Sequence, residues 1–188
     1  MYCTECGNKL ELRFLEFEGM IPYCNKCNEY RFQTFNSAVS LLIFNPDMTK
    51  TLFVKQYSTD FYRLVAGYVN KGESLEETIY REMGEEIGRI PCKVEYNSSA
   101  YFKKSNTLIS NYAVVLTSEE IFPNHEIDSY GWIDIKDSRE ELRRASFSYE
   151  FLCKYLDKKN MNWFIMIDES FFFISVKIIV WNYVYYKL

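Results

Sequence analysis

Apolar and charged positions alternate with a period of two through LELRFLEF (10–17) and again through EYRFQTF (29–35), the pattern of short, half-exposed strands. From Ser37 the run SAVSLLIF is mostly apolar and closes on the turn signal Asn45-Pro46-Asp47. TLFVKQY and YRLVAGYV read as two further strands. From Ser74 to about Ile87 the period changes, with Leu75, Ile79, Met83 and Ile87 recurring every four positions as one apolar helical stripe. Ser74 and Glu77 form an S-x-x-E capping box at its start, Gly88 stands where a left-handed C-cap belongs, and Pro91 follows. KVEYNSSAYF, TLISNYAVVLT and YGWIDI predict more strand, and a last helix is expected from about Ser138 to Lys158. The order predicts a mixed α/β domain with short antiparallel strands, not the regular alternation of a doubly wound sheet.

Four of the six cysteines fall as Cys3-x2-Cys6 and Cys24-x2-Cys27 with 17 residues between the pairs, the spacing of a zinc ribbon whose two knuckles sit on a small hairpin. All four positions of a tetrahedral site are then filled, so the expected Zn²⁺ is structural. Cys92 and Cys153 read as ordinary thiols. The N-terminus has no basic stretch followed by an apolar run, so no secretory signal is expected and the chain reads as cytoplasmic. The organisation expected is a ribbon over 1–34, a larger domain over 35–160 and an aromatic-rich tail over 161–188. Asp168, Glu169 and Lys177 interrupt the tail short of the roughly 18 apolar residues of a spanning helix, so no transmembrane helix is expected there, and extra strands on the core, a dimer contact or an appended non-native tail stay open.

Charge narrows the partners. With 22 Lys and Arg against 26 Asp and Glu, the net charge is −4, which repels nucleic acid and anionic membranes in bulk. Residues 1–36 hold four basic and five acidic residues, whereas a ribbon that grips a phosphate backbone is expected to be basic. A phosphate-bearing partner therefore needs cations gathered at one site. The helix after Ser74 has the converse feature. Glu82, Glu85 and Glu86 stand at i, i+3 and i+4, where like charges repel, and Glu86 projects within the apolar arc with Glu82 beside it. Acids crowded against buried surface make sense when a hard divalent cation, liganded by carboxylate oxygens, supplies the missing charge. Such a cation also binds a diphosphate.

Together these residues spell Gly67-x5-Glu73-x7-Arg81-Glu82-Met83-Gly84-Glu85-Glu86-Ile87-Gly88, which resembles the Nudix box, G-x5-E-x7-R-E-U-x-E-E-x-G-U with U a bulky aliphatic. The one departure is Arg89 at the final aliphatic position. The resemblance implies an α/β/α sandwich around a mixed sheet, here preceded by the ribbon. It also implies hydrolysis of a nucleoside diphosphate linked to another group, with Mg²⁺ or Mn²⁺. By position, Glu82, Glu85 and Glu86 would be metal ligands, Glu82 also a candidate base, and Glu73 and Arg81 would orient the helix and loop. Glu126, six residues before Trp132, stands where such enzymes often place a further acid, with a surface glutamate the alternative reading.

The ribbon placed before LVAGYVNKGESLEE is similar to the NADH pyrophosphatase branch, in which the residue matching Tyr68, after Gly67, stacks on a nucleotide base. SSAYFKKSN departs from that branch's SQPWPFPxS motif and keeps only the leading Ser98 and an aromatic at Tyr101; its Lys103 and Lys104 could meet a substrate phosphate or lie in a solvated turn. The competing class is a protein-interaction module on the same scaffold, with self-association through the ribbon or the tail left open.

Overall fold

In the computed structural model, which describes residues 1–159, the alternating N-terminal segments fold back as β1 (Glu11–Leu15) against β2 (Gly19–Cys24), with β3 (Glu29–Tyr30) added to β2. EYRFQTF contributes two strand residues, fewer than its alternation predicts. The Arg31 amide donates to the Pro22 carbonyl, but Pro22 has no N–H to return, and the ladder stops there. Met1–Phe35 is one compact unit, and the residues from Asn36 onward form another.

The second unit is built on β4 (Asn36–Phe44), β5 (Lys50–Gln56), β6 (Val65–Tyr68), α1 (Leu75–Glu82), β7 (Lys93–Phe102), β8 (Thr107–Val115), β9 (Ile127–Asp134), α2 (Ser138–Glu141) and α3 (147–159). The strands run in the order β7-β8-β4-β5-β9, and β4 pairs β8 in parallel from Asn36↔Thr107 to Phe44↔Val115. On its other edge β4 meets β5 only at Ile43 and Phe44, while β6 takes the stretch Ala38–Leu41. A bridge between Val54 and Arg63 holds the approach to β6 against β5, so β6 fills the gap where β4 and β5 part.

β4 is buried on both faces, as a run of apolar residues without alternation requires. Val39, Leu41 and Ile43 join Ile79, Met83 and Ile87, the expected stripe of α1, in one core cluster. Leu42 and Phe44 join Phe151, Leu152 and Tyr155 of α3 in a second cluster across the sheet. The result is the α/β/α sandwich around a mixed sheet that the resemblance implies.

Two helices differ from the pattern reading. The last one is split, because Leu142 turns extended, bridges to Tyr62 and buries its side chain in the α3-side cluster. α1 in turn passes into a π-helical turn over Met83–Ile87, closed by Gly88, at φ 67°, whose N–H donates to the Met83 carbonyl. Among the described residues no helix is long and apolar enough to cross a membrane. The expectation for 161–188 lies outside the described residues.

Candidate active site

The capping box forms as its sequence predicts: Ser74 Oγ accepts from the Glu77 amide and the Glu77 carboxylate accepts from the Ser74 amide. This fixes the start of α1, so that Arg81 comes back over the loop leading into it. Arg81 donates through Nε and Nη2 to both oxygens of Glu73 (2.8 and 3.1 Å), through Nη1 to Glu82 Oε1 (2.6 Å) and Glu85 Oε2 (3.1 Å), and through Nη2 to the Tyr68 carbonyl (2.9 Å). Glu73 also accepts from the Asn70 amide and the Thr78 hydroxyl. The Arg81 guanidinium, with those donors, draws the Glu73 carboxyl down to about 2. Glu73 and Arg81 thus tie the loop 68–73 to the helix.

Glu82 and Glu86 are buried, at 7% and 5% exposure, while Glu85 stays exposed beside Arg81. Glu82 packs on Gly67, where a β-carbon would lie 1.8 Å from Oε1. Glu86 accepts from Gln56 Nε2 at 2.8 Å. Burial pushes the Glu86 carboxyl up to about 7, and the negative charges of Glu82 and Glu126 add to the effect. Two buried carboxylates, with the charge of Glu126 close enough to act on Glu86, carry more negative charge than Arg81 and one amide can offset. That surplus fits a divalent cation with oxygen ligands.

The structure therefore brings Glu82, Glu86 and Glu126 into one electrostatic group and places Glu85 on its rim. Among the described residues, no three carboxylates bring their oxygens within 4.8 Å of one another. Glu126 rides on the loop into β9, which docks on the π-helical turn: the Phe122 amide donates to Ile87 O and the Asn124 amide to Glu86 O. Gly88 is required at that junction, since a β-carbon would stand 2.8 Å from Phe122. Gln56 went unnoticed in the sequence, where an amide ending an apolar strand has no distinguishing pattern. Tyr68 is 55% exposed beside the loop, and Lys103 and Lys104 form an exposed 3-10 turn between β7 and β8.

In the first unit the Sγ atoms of Cys3, Cys6, Cys24 and Cys27 all lie within 4.8 Å of one another, with Cys3 to Cys27 at 3.9 Å and Cys6 to Cys24 at 3.5 Å. Four thiolates about 2.3 Å from a tetrahedral Zn²⁺ stand about 3.8 Å apart, so this cluster is compatible with a zinc ribbon. Arg31 Nε donates to Cys3 Sγ at 3.3 Å and lowers that thiol to about 6, favouring the ligating thiolate.

A family profile described as NUDIX domain matches residues 34–155. The NAD-capped RNA hydrolase NudC of Pseudomonas aeruginosa is 24% identical over 160 residues, covering 85% of this chain and 56% of that protein. The NAD(P)H pyrophosphatase NUDT13 of Mus musculus, mitochondrial, is 32% identical over 104 residues, covering 52% of this chain and 30% of that protein. The chain spans about half the length, or less, of these relatives. A NUDIX hydrolase from Nitrosomonas europaea matches the structure with a TM-score of 0.56 at 20% identity, covering 85% of this chain and 92% of that one. The NUDIX domain of Shewanella oneidensis NrtR, solved with ADP ribose, matches with a TM-score of 0.57 at 16% identity, covering 72% and 93%. These two establish a common fold.

Proposed function

The chain belongs to the Nudix family, and from that premise we propose that it is a metal-dependent pyrophosphohydrolase that cleaves the diphosphate of a nucleoside diphosphate linked to another group. The observation that carries this reading is the buried pair Glu82 and Glu86, whose negative charge, with that of Glu126 acting on Glu86, is left in surplus. A retired site has no physical reason to keep it, since buried like charges cost stability. The reading extends to Mg²⁺ or Mn²⁺ at Glu82, Glu86 and Glu126, with Glu85 turning in from the rim, and to Zn²⁺ at the four cysteines. A divalent cation in such a site neutralises the diphosphate and makes water more acidic.

The remaining work falls to the chain's own groups. Glu73 and Arg81 hold the loop 68–73 and Glu82 in register. Gln56 orients Glu86 by donating to one of its oxygens, leaving the other free to ligate. Glu82 is the candidate to receive the proton of the water that attacks phosphorus. The bond to the bridging oxygen then breaks, yielding two phosphomonoesters. Tyr68, exposed beside the loop that Arg81 holds, is placed to stack on a nucleotide base.

NAD-type dinucleotides lead the substrate reading, because NudC and NUDT13 are named for NAD-capped RNA and NAD(P)H; ADP-ribose and nucleotide sugars follow. The test is turnover of NADH, NAD⁺, ADP-ribose, a nucleotide sugar and a nucleoside triphosphate with Mg²⁺ or Mn²⁺, for wild type and Glu86→Gln. Metal-dependent turnover that collapses in the variant supports the reading. No turnover by folded, zinc-loaded protein overturns it in favour of an interaction module.

A further inference from the structure

On the approach to β6, odd-numbered residues face α1: Val65 lies in the α1-side core and Gly67 touches Glu82. Arg63 belongs to the same row. It opposes Val54 on β5, and two residues further along that face stands Gln56, which holds Glu86. Thr59 joins the two: its hydroxyl donates to the Gln56 carbonyl at 2.7 Å and accepts from Arg63 Nη2 at 2.9 Å.

Arg63 has no carboxylate partner among the described residues. Its guanidinium lies 4.8 Å from the Phe61 ring centroid and 5.7 Å from that of Tyr57, and its Nε is buried without an acceptor. Arg143, from the turn between α2 and α3, accepts at its carbonyl from Ser146 but places its guanidinium 4.7 Å from the same Phe61 ring, where that group makes no hydrogen bond or ion pair among the described residues. The other two guanidiniums near the box are committed, Arg81 to Glu73, Glu82 and Glu85, and Arg89 to Glu120. Tyr57 and Ser58 both hold positive φ, 58° and 53°, and the Ser58 amide is tied to Asp128 at 2.7 Å. The loop that carries Tyr57 over Arg63 is thus fastened to β9.

Resting on the function proposed above, we propose that Arg63 and Arg143, braced on Phe61, form an anion subsite that takes a phosphate carried by the substrate in addition to the scissile diphosphate. Gln56 and Thr59 stand between Arg63 and Glu86, so the guanidiniums read charge farther along the substrate than the bond being cleaved. In a chain of net charge −4, two unneutralised guanidiniums sharing one ring are a local cation store of the kind a phosphate needs.

The test compares kcat/KM for paired substrates in the presence of Mg²⁺: NADH with its 2′-phosphorylated counterpart, and a dinucleoside triphosphate with the tetraphosphate. The pair that responds identifies the source of the added phosphate. In wild type the phosphate-extended member of at least one pair is favoured. That preference falls about tenfold or more in Arg63→Gln and in Arg143→Gln, with part of it restored in Arg63→Lys. Arg144→Gln, a neighbouring exposed arginine outside the pair, keeps the wild-type ratio. An unchanged ratio in both clamp variants overturns the subsite while leaving the hydrolase reading intact. If wild type turns over nothing, equilibrium binding of inorganic triphosphate decides: weakening of about tenfold in both variants upholds the subsite, and equal binding overturns it.

Discussion

Gly67 lies so close against Glu82 that a β-carbon would overlap its carboxylate, 1.8 Å from Oε1 and 1.9 Å from Cδ. The obstructing atoms are the far end of a flexible side chain, so an alanine here pushes the carboxylate aside and leaves the backbone in place. Gly67→Ala should therefore keep its melting temperature within a few degrees of wild type while kcat/KM falls about a hundredfold, the scale of a catalytic group misplaced by an ångström. Steady-state kinetics beside a thermal melt checks the split. A large fall in melting temperature would show that the glycine serves packing.

Among the described residues, Arg81 is the one cation that Glu73, Glu82 and Glu85 share. A lysine keeps the charge but has no planar fork with which to hold both Glu73 oxygens and Glu82 together. Arg81→Lys is expected to lower kcat/KM about tenfold or more, with the loop 68–73 exchanging amide hydrogen faster than in wild type. Wild-type kinetics and protection in the lysine variant would reduce Arg81 to a point charge.

Glu86 predicts a pH dependence of the metal-free protein. A carboxyl whose value rises on folding from 4.5 to about 7 costs stability that sets in above its ordinary range and is complete beyond about 7. With chelator present, the unit from Asn36 onward should lose up to about 3 kcal/mol between pH 5 and pH 8 relative to Glu86→Gln, in which the charge is gone. Mg²⁺ should stabilise wild type more at pH 8 than at pH 5. Denaturant melts at the two pH values measure this, and parallel slopes for wild type and variant would refute it.

The buried apolar side chains of Met1–Phe35 are few: Cys3, Tyr23 and Cys24. A unit with so small a core is expected to need a metal at its four cysteines to stay folded. Removing zinc, or Cys24→Ser, should erase hydrogen-exchange protection over 1–35 while the strands from Asn36 onward keep theirs. Metal analysis of wild type should find one zinc per chain, and an ordered zinc-free ribbon would contradict this account.

Much of the site was legible because periodicity and chemistry coincide in one short segment. Leu75, Ile79, Met83 and Ile87 announce which face of α1 is buried, and counting round the helix then puts Glu82 and Glu86 against that face. Gln56, Thr59 and Arg63 carried no such signal, because their meaning depends on β6 entering between β4 and β5, a matter of pairing between distant segments. The split of the last helix was hidden for a like reason: Leu142 continues the helical pattern, and only its bridge to Tyr62 draws it out. The π-helical turn also keeps every residue that an α-helix would accept.

The pairing of β5 with β9, which joins Lys50 to Asp134, gives the acids a place in the order of folding. Contacts between residues so far apart in the chain form slowly, after the local helix and the β7–β8 hairpin. Until β9 docks, the loop before it does not cover the turn that carries Glu86 or bring the charge of Glu126 near, and the carboxyl is closer to an ordinary solvated acid. Closure of that strand is then expected to draw a proton from solvent near neutral pH. Proton uptake, followed with an indicator dye during refolding, marks the moment at which the site comes into being.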